Sequence, residues 1–122
     1  MLNLNRKGRV HSFFLAKYTQ YGDTNPPSSG DVLDTDIAGS APTWTRNAAG
    51  NYTLDFPAGS LSEDYAVAFV QIQGTSVALY CNVTVSDGQS VTILFRDEAG
   101  VVIEADCSFV VMLMNYTSPI PA

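Results

Sequence analysis

The chain's single tryptophan lies two residues from an arginine, and together the two side chains could bind a sugar. Trp44 and Arg46 belong to the stretch 43-TWTRNAAGNYTLDF-56, and residues two apart on a β-strand project from the same face of its sheet. An exposed indole beside a guanidinium would form a stacking platform for a glycan. We favour the alternative, in which Trp44 anchors the core and Arg46 covers its edge or reaches an acid such as Asp55.

Nucleophilic and zinc chemistry would both depend on His11, the only histidine in the chain. A Ser-His-Asp or Cys-His arrangement would have to recruit it from the start of the first predicted strand. A zinc site would have to combine it with Cys81 and Cys107, at a spacing that no familiar zinc pattern has. Both cysteines lie in apolar runs, so we expect them in or near the core. The sequence predicts no catalytic residues, no metal site and no cofactor.

Three aspartates crowd into 31-DVLDTDI-37 and could in principle bind calcium. Strand alternation would send Asp34 and Asp36 to one face and Asp31 to the other, and an EF-hand glycine is missing. We therefore expect these charges to protect an edge strand from pairing with another chain, while ion binding stays open.

Charge is distributed unevenly along the chain, whose net charge is −6. Four of its six cations precede Asp23, the first acid, so the first seventeen residues carry +4 and the remainder carries −10. The cations at Arg6, Lys7 and Arg9 either solubilise an N-terminal tail or form an arm that docks on an acidic neighbour. Nucleic acid is not an expected partner, because so acidic a body would repel phosphates.

The remaining composition bears on compartment and on assembly. No apolar run reaches the roughly eighteen residues of a membrane span, and MLNLNRKGRVH has no signal-peptide core, so we expect synthesis in a cytoplasm and no membrane partner. Charged residues make up 15% of the chain, against about 25% in an average globular protein. So little surface charge favours an oligomer or a lattice component.

Runs rich in Val, Ile, Phe, Tyr and Thr recur about every ten residues between turn signals, which indicates an all-β chain. We expect a small antiparallel β-sandwich or barrel of about 7–9 strands. The single domain would span 10–116, between an arm at 1–9 and a tail at 117–122. Strands are predicted at 10–20, 31–37, 42–46, 51–56, 65–73, 76–85, 90–96, 101–105 and 107–116, with those at 65–73, 76–85 and 90–96 forming a meander.

One set of motifs resembles small all-β structural proteins encoded by tailed phages and prophages. The pattern is a strand ending near Gln, a turn with Pro, a Val-Leu strand, then Trp-x-Arg and Gly-x-Tyr, and it covers about residues 13 to 56. Its members here are Phe14 to Gln20, Gly22 to Pro27, Val32-Leu33, Trp44 with Arg46, and Gly50 with Tyr52. The basic lead and the tail TSPIPA depart from the pattern, which leaves open whether the chain is a free subunit or a module.

The resemblance implies a non-enzymatic virion protein: a capsid decoration or head-fibre subunit, or a small tail or baseplate piece. It would be made in the bacterial host cytoplasm and end in the virion, as a homo-oligomer, with a trimer preferred, that contacts other virion proteins. The basic arm would anchor it. The alternative is a carbohydrate-binding or receptor-binding tail or baseplate module, in which Trp44, Tyr65 or Tyr80 would stack on a host-surface glycan and Trp44 with Arg46 would form the ligand-binding pair.

Overall fold

The computed structural model describes residues 10–62, 64–75 and 78–116, which form eight antiparallel β-strands. Each strand is rich in the β-branched and aromatic residues that fit a half-buried pleated surface. The strands are β1 (Val10–Tyr21), β2 (Ser28–Thr35), β3 (Thr43–Ala48), β4 (Asn51–Asp55), β5 (Ala66–Thr75), β6 (Leu79–Ser86), β7 (Ser90–Asp97) and β8 (Asp106–Tyr116).

The strands build two four-stranded sheets that pack face to face. Sheet A has the order β2-β1-β8-β5, and sheet B has the order β3-β4-β7-β6. Each sheet keeps two edge strands, so the fold is a sandwich, the first of the two predicted architectures. The predicted edge position of the aspartate-bearing strand β2 is also confirmed.

A chain of aromatic rings joins the sheets through the middle of the sandwich. Tyr52 meets Phe95 at a centroid distance of 5.9 Å, and Phe95 meets Phe109 at 5.5 Å. Phe109 then meets Trp44 at 5.8 Å, and Trp44 meets Tyr18 at 5.1 Å, both edge to face. The rings come from five strands, so this cluster fixes which face of each sheet is turned inward.

The predicted meander is wrong in one strand. β6 and β7 do form a hairpin, closed at Ser86 and Ser90, but β5 belongs to the other sheet and pairs with β8. Gly74 and Thr75, which lie between the two predicted strands, are instead the last residues of β5 and pair with Ser108 and Cys107 of β8. Glycine and threonine fit the end of a strand as well as a turn, so local sequence does not separate a crossover from a hairpin.

Two other predicted elements differ from the structure. The segment 101–105 is not a strand: only Val102 makes an isolated bridge, with Arg96. Its backbone lies across the end of the β3–β4 hairpin, where it leaves no room for a side chain at Gly50. β2 also begins at Ser28, three residues earlier than expected, because the chain after the double proline is already extended.

Gly50 provides a test of this close approach. It adopts a φ of +70°, and a Cβ there would lie 2.3 Å from the Ile103 carbonyl oxygen. Gly100 has a similar φ of +81° with nothing within 4 Å of its Cβ position, so it is a matched control. Gly50→Ala should destabilise the protein by about 1–3 kcal/mol more than Gly100→Ala in urea unfolding, since only Gly50→Ala adds overpacking to backbone strain. Equal losses for the two variants would contradict the described approach of 101–105.

Candidate functional site

Trp44 points into the sandwich from edge strand β3. Its ring packs edge to face against Tyr18 and Phe109, with interplanar angles of 87° and 83°. Burial raises the pKa of Tyr18 to about 12, whereas the buried Trp44 indole N–H has no hydrogen-bond partner among the described residues. Trp44 is partly buried against the core, so its interpretation as a core anchor is confirmed.

Arg46, two residues on, also turns inward and is paired with an acid. Its Nε donates to Glu104 Oε1 at 2.7 Å, and its Nη2 donates to the same oxygen. Asp55, the partner suggested from the sequence, lies on the opposite face of sheet B, where it accepts a hydrogen bond of 2.7 Å from Ser90 Oγ. The guanidinium is therefore already engaged within the molecule, with a different acid from the expected one.

Glu104 binds a second group from the hairpin. Its Oε2 accepts a hydrogen bond of 2.5 Å from the hydroxyl of Tyr52, a side chain with no exposed surface. The three residues Arg46, Tyr52 and Glu104 are called the Glu104 clamp below. They tie the segment after β7 to the β3–β4 hairpin. Glu104 is not among the residues predicted to form a site, and the signal for its role is its position as the one acid in the apolar run 101-VVIEA-105.

The electrostatics of the clamp hold each group in its ordinary charge state. Burial alone would raise the pKa of Glu104, but hydrogen bonds from Arg46, Tyr52 and the Gly50 backbone outweigh it, and the net effect lowers that pKa. Burial, followed by the bond to Glu104, raises the pKa of Tyr52, and the same carboxylate raises the pKa of Arg46. At neutral pH the clamp is thus an ionised pair with a protonated phenol, which suits a structural tie better than proton transfer.

The predicted aspartate alternation is wrong, because β2 contains a register irregularity. Asp34 pairs with Leu15 and Asp31 pairs with Lys17, and a bulge lies between these pairs. Leu15 and Lys17 share a face of β1, so Asp31 and Asp34 share the outer face of sheet A. Asp36 caps the neighbouring strand by accepting a hydrogen bond of 2.7 Å from the Phe13 N–H.

The other candidate residues carry little sign of chemistry. Cys107 is buried and Cys81 half-buried, which confirms their core or near-core positions. Burial raises the pKa of both thiols, that of Cys107 to about 11, so thiolate is scarce at neutral pH. In the described ranges, no three acidic, histidine or cysteine side chains gather as a metal site requires. The arm residues Arg6, Lys7 and Arg9, the tail and the side chain of His11 lie outside what the structure describes.

Gln20 is a structural residue that the sequence analysis did not single out for a role. It is fully buried at the end of β1, and its Nε2 donates to the carbonyls of Asp23 and Asn25 at 3.2 and 3.0 Å. These bonds hold the loop that leads to the paired prolines. In this motif, the Gln at the end of the strand therefore holds the Pro-containing loop in place through hydrogen bonds.

Two clefts open on the side of the sandwich near β2. One, of about 260 Å³, is apolar and is lined by residues that include Phe14, Ile37, Pro42 and Phe56, with hydroxyls as its polar side-chain groups. The other, of about 370 Å³, is more polar, and the one carboxylate among its described lining residues is that of Asp36, already bonded to the Phe13 N–H. Among the residues that the structure describes, neither cleft brings together an acid and a base.

The outer face of sheet B is polar and internally hydrogen-bonded; we call it the polar face. One threonine from each strand forms a continuous row: Thr45, Thr53, Thr92 and Thr84. The hydroxyls of Thr53 and Thr92 lie 3.1 Å apart, and Asn47 Nδ2 donates to Thr53 Oγ1 at 2.7 Å. A polar face of this kind is stable in contact with solvent and does not need to be covered by another protein.

The outer face of sheet A is different and carries two adjacent rows of apolar side chains; we call it the apolar face. The first row is Phe13, Met114 and Val67, and the second is Leu15, Met112 and Phe69. Phe69 is 53% exposed, and Val67 and Met112 are each 42% exposed. Three neighbouring strands thus present a contiguous apolar surface, which in soluble proteins marks contact with another molecule.

Comparisons of this chain with protein-family models, curated proteins and solved structures gave no match. None of the described residues forms a helix with the length and apolar character that crossing a membrane requires.

The Glu104 clamp predicts a loss of stability when its acceptor is removed. Glu104→Ala leaves the buried Tyr52 hydroxyl without its acceptor, at a cost of about 1–3 kcal/mol in chemical unfolding. Adding Tyr52→Phe to Glu104→Ala should recover part of that loss, because the stranded hydroxyl is then gone. A double variant whose loss is the full sum of the two single losses would contradict the clamp.

The clamp also predicts a pH dependence. The folded-state pKa of Glu104 lies below its unfolded value. Ionised Glu104 therefore stabilises the fold fully above the unfolded pKa of about 4.3, and this stabilisation is lost as pH falls through the folded pKa. Glu104→Gln should therefore flatten the acid limb of the stability curve below that pH. Glu98→Gln, in the exposed turn after β7, is the matched control and should leave the limb steep.

Proposed function

We propose that the protein is a non-enzymatic structural subunit of a tailed-phage particle, a capsid-associated decoration or head-fibre subunit. The observation that carries the proposal is the difference between the two outer faces of one sandwich. The polar face is satisfied by its own hydrogen bonds, whereas the apolar face exposes Phe69, Val67 and Met112 on adjacent strands. A protein built this way acts through contacts with other proteins.

The contacts of the motif residues support the same proposal. Four polar or aromatic members of the phage-like pattern make contacts inside the fold: Trp44, Arg46, Tyr52 and Gln20. These residues specify a hairpin, the Glu104 clamp and a loop, which is expected of a family whose members share a fold. Residues used in this way support a structural role in assembly rather than a catalytic role.

The proposed anchor is the basic arm. The described chain begins β1 at Val10 and ends β8 at Tyr116, and these two residues are paired, so both lie at one end of the sandwich. Arg6, Lys7 and Arg9 immediately precede Val10 in the sequence. They would dock on an acidic capsid surface, while the acidic sandwich projects from it.

Deletion of residues 1–9 tests the anchor, with binding measured on assembled particles of the phage that encodes the protein. We expect the deletion to abolish co-sedimentation with capsids, and the charge-only variant Arg6→Gln/Lys7→Gln/Arg9→Gln to weaken it strongly in a salt-dependent way. Arg6→Lys/Arg9→Lys, which keeps the charge of the arm, is the control and should retain docking. Thermal unfolding should be unchanged in all variants, and full docking without the arm would exclude it as the anchor.

A second candidate, glycan binding, is favoured by one observation on the polar face. Tyr80 is 61% exposed there, with Arg96 as its cross-strand partner and Asn82 two residues along β6. An exposed ring beside a cation and an amide suits stacking on a sugar.

Glycan-array binding tests this second candidate. Binding that is lost in Tyr80→Ala and kept in Val101→Ala, a similarly exposed apolar position in a loop, would support it. Equal retention in both variants, or no binding by the unaltered protein, would remove it.

A further inference from the structure

We infer that the apolar face of sheet A is covered by the same face of a second copy of this chain, in a two-fold dimer. The inference deepens the proposed function, on which it rests, by naming the partner of the exposed surface. The face consists of the two rows defined above, continued by Val110 between Lys17 and Gln71.

The first step is that this face resembles the centre of an interface in composition. Such centres are enriched in aromatic residues and methionine and poor in charge. Phe69 and Met112 are direct neighbours in the second row, and Phe13 and Met114 are neighbours in the first. Met side chains adapt their shape, so two identical faces can interdigitate without a specially shaped partner.

The second step is area. Strands β2, β1, β8 and β5 of sheet A have 8, 12, 11 and 10 residues, so at about 3.4 Å per residue and about 4.8 Å between strands the whole outer face spans roughly 670 Å². A specific protein interface buries about 600–1,000 Å² on each partner. The whole outer face of sheet A, with the apolar rows and their polar border, therefore falls within the size range of a stable dimer interface.

The third step is charge at the border of the apolar rows. Lys17 lies beside the two rows and is paired across the strands with Asp31, while Asp34 is paired with Leu15. The border thus carries both signs. A copy of the face can match both, whereas an anionic membrane or a nucleic acid would meet two aspartates and be repelled.

The geometry of the contact follows from the partner. A face that packs on its own copy makes an isologous contact, in which each side uses the same residues, and such contacts close as two-fold dimers. A trimer, the state that the phage resemblance implies, would have to bury this face against a different surface. The dimer is therefore the state that this face favours.

Sedimentation velocity of the full chain over a concentration series tests the inference. We expect a concentration-dependent shift from monomer to dimer for the unaltered protein. Phe69→Gln/Met112→Gln should raise the dissociation constant at least about tenfold, because it removes two exposed apolar side chains that are direct neighbours in the second row. Tyr80→Gln/Val101→Gln, at positions 61% and 56% exposed but off this face, is the matched control and should keep the dimer.

Circular dichroism and thermal unfolding of both variants show whether they fold. The substituted side chains are exposed, so the secondary structure should be unchanged. A protein that is monomeric at every concentration, a trimer, or equal weakening by the two variant pairs would each overturn the inference. Failure here is distinguishable from failure of the proposed function, because capsid binding by a monomer would retain the function without the dimer.

Discussion

The contact on which the fold depends is the meeting of aromatic rings at Phe109. This residue of β8 touches Phe95 from sheet B and Trp44 from the edge strand β3, with Tyr18 of β1 against the same cluster. Because these rings must lie inside, alternation along each strand decides which side chains lie outside. The polar face and the apolar face are both consequences of that one choice.

The Glu104 clamp works at the border of this core. It closes the hairpin that carries Trp44 and uses the residues that a sequence reader would first assign to binding, Arg46 among them. The same hairpin requires Gly50, because the carbonyl of Ile103 approaches its Cα too closely for a side chain. The Trp-x-Arg motif, which resembles a binding site in the sequence, is thus mostly explained by the packing of residues 101–105 across the β3–β4 turn.

Sequence patterns are sufficient for eight of the nine predicted strands, all but 101–105, and for most inward residues, because alternation of apolar and polar residues is a local property. Tyr52, Leu54 and Trp44 turn inward as the pattern of the hairpin predicts. Strand pairing is harder to predict, since a crossover and a hairpin can have the same connecting residues. β5 pairs with β8 rather than with β6, the neighbour that the meander predicts. A bulge reverses alternation without a sequence signal of its own, which is why Asp31 was assigned to the wrong face.

The candidate site shows the same division. Arg46 was expected to find an acid, but the acid, Glu104, is 58 residues away, and only the three-dimensional path of the chain brings them together. The apolar face was likewise hidden, because its rows combine β1, β5 and β8, which are distant in sequence.

The central proposal is that the outer face of sheet A contacts another protein and the outer face of sheet B does not. Hydroxyl-radical footprinting at low and high protein concentration tests it most directly, since oxidation reports the solvent access of individual side chains. We predict that Met112 and Phe69 become protected as concentration rises while Tyr80 stays equally reactive. Unchanged reactivity of Met112 and Phe69, or protection of Tyr80 in their place, would contradict the account.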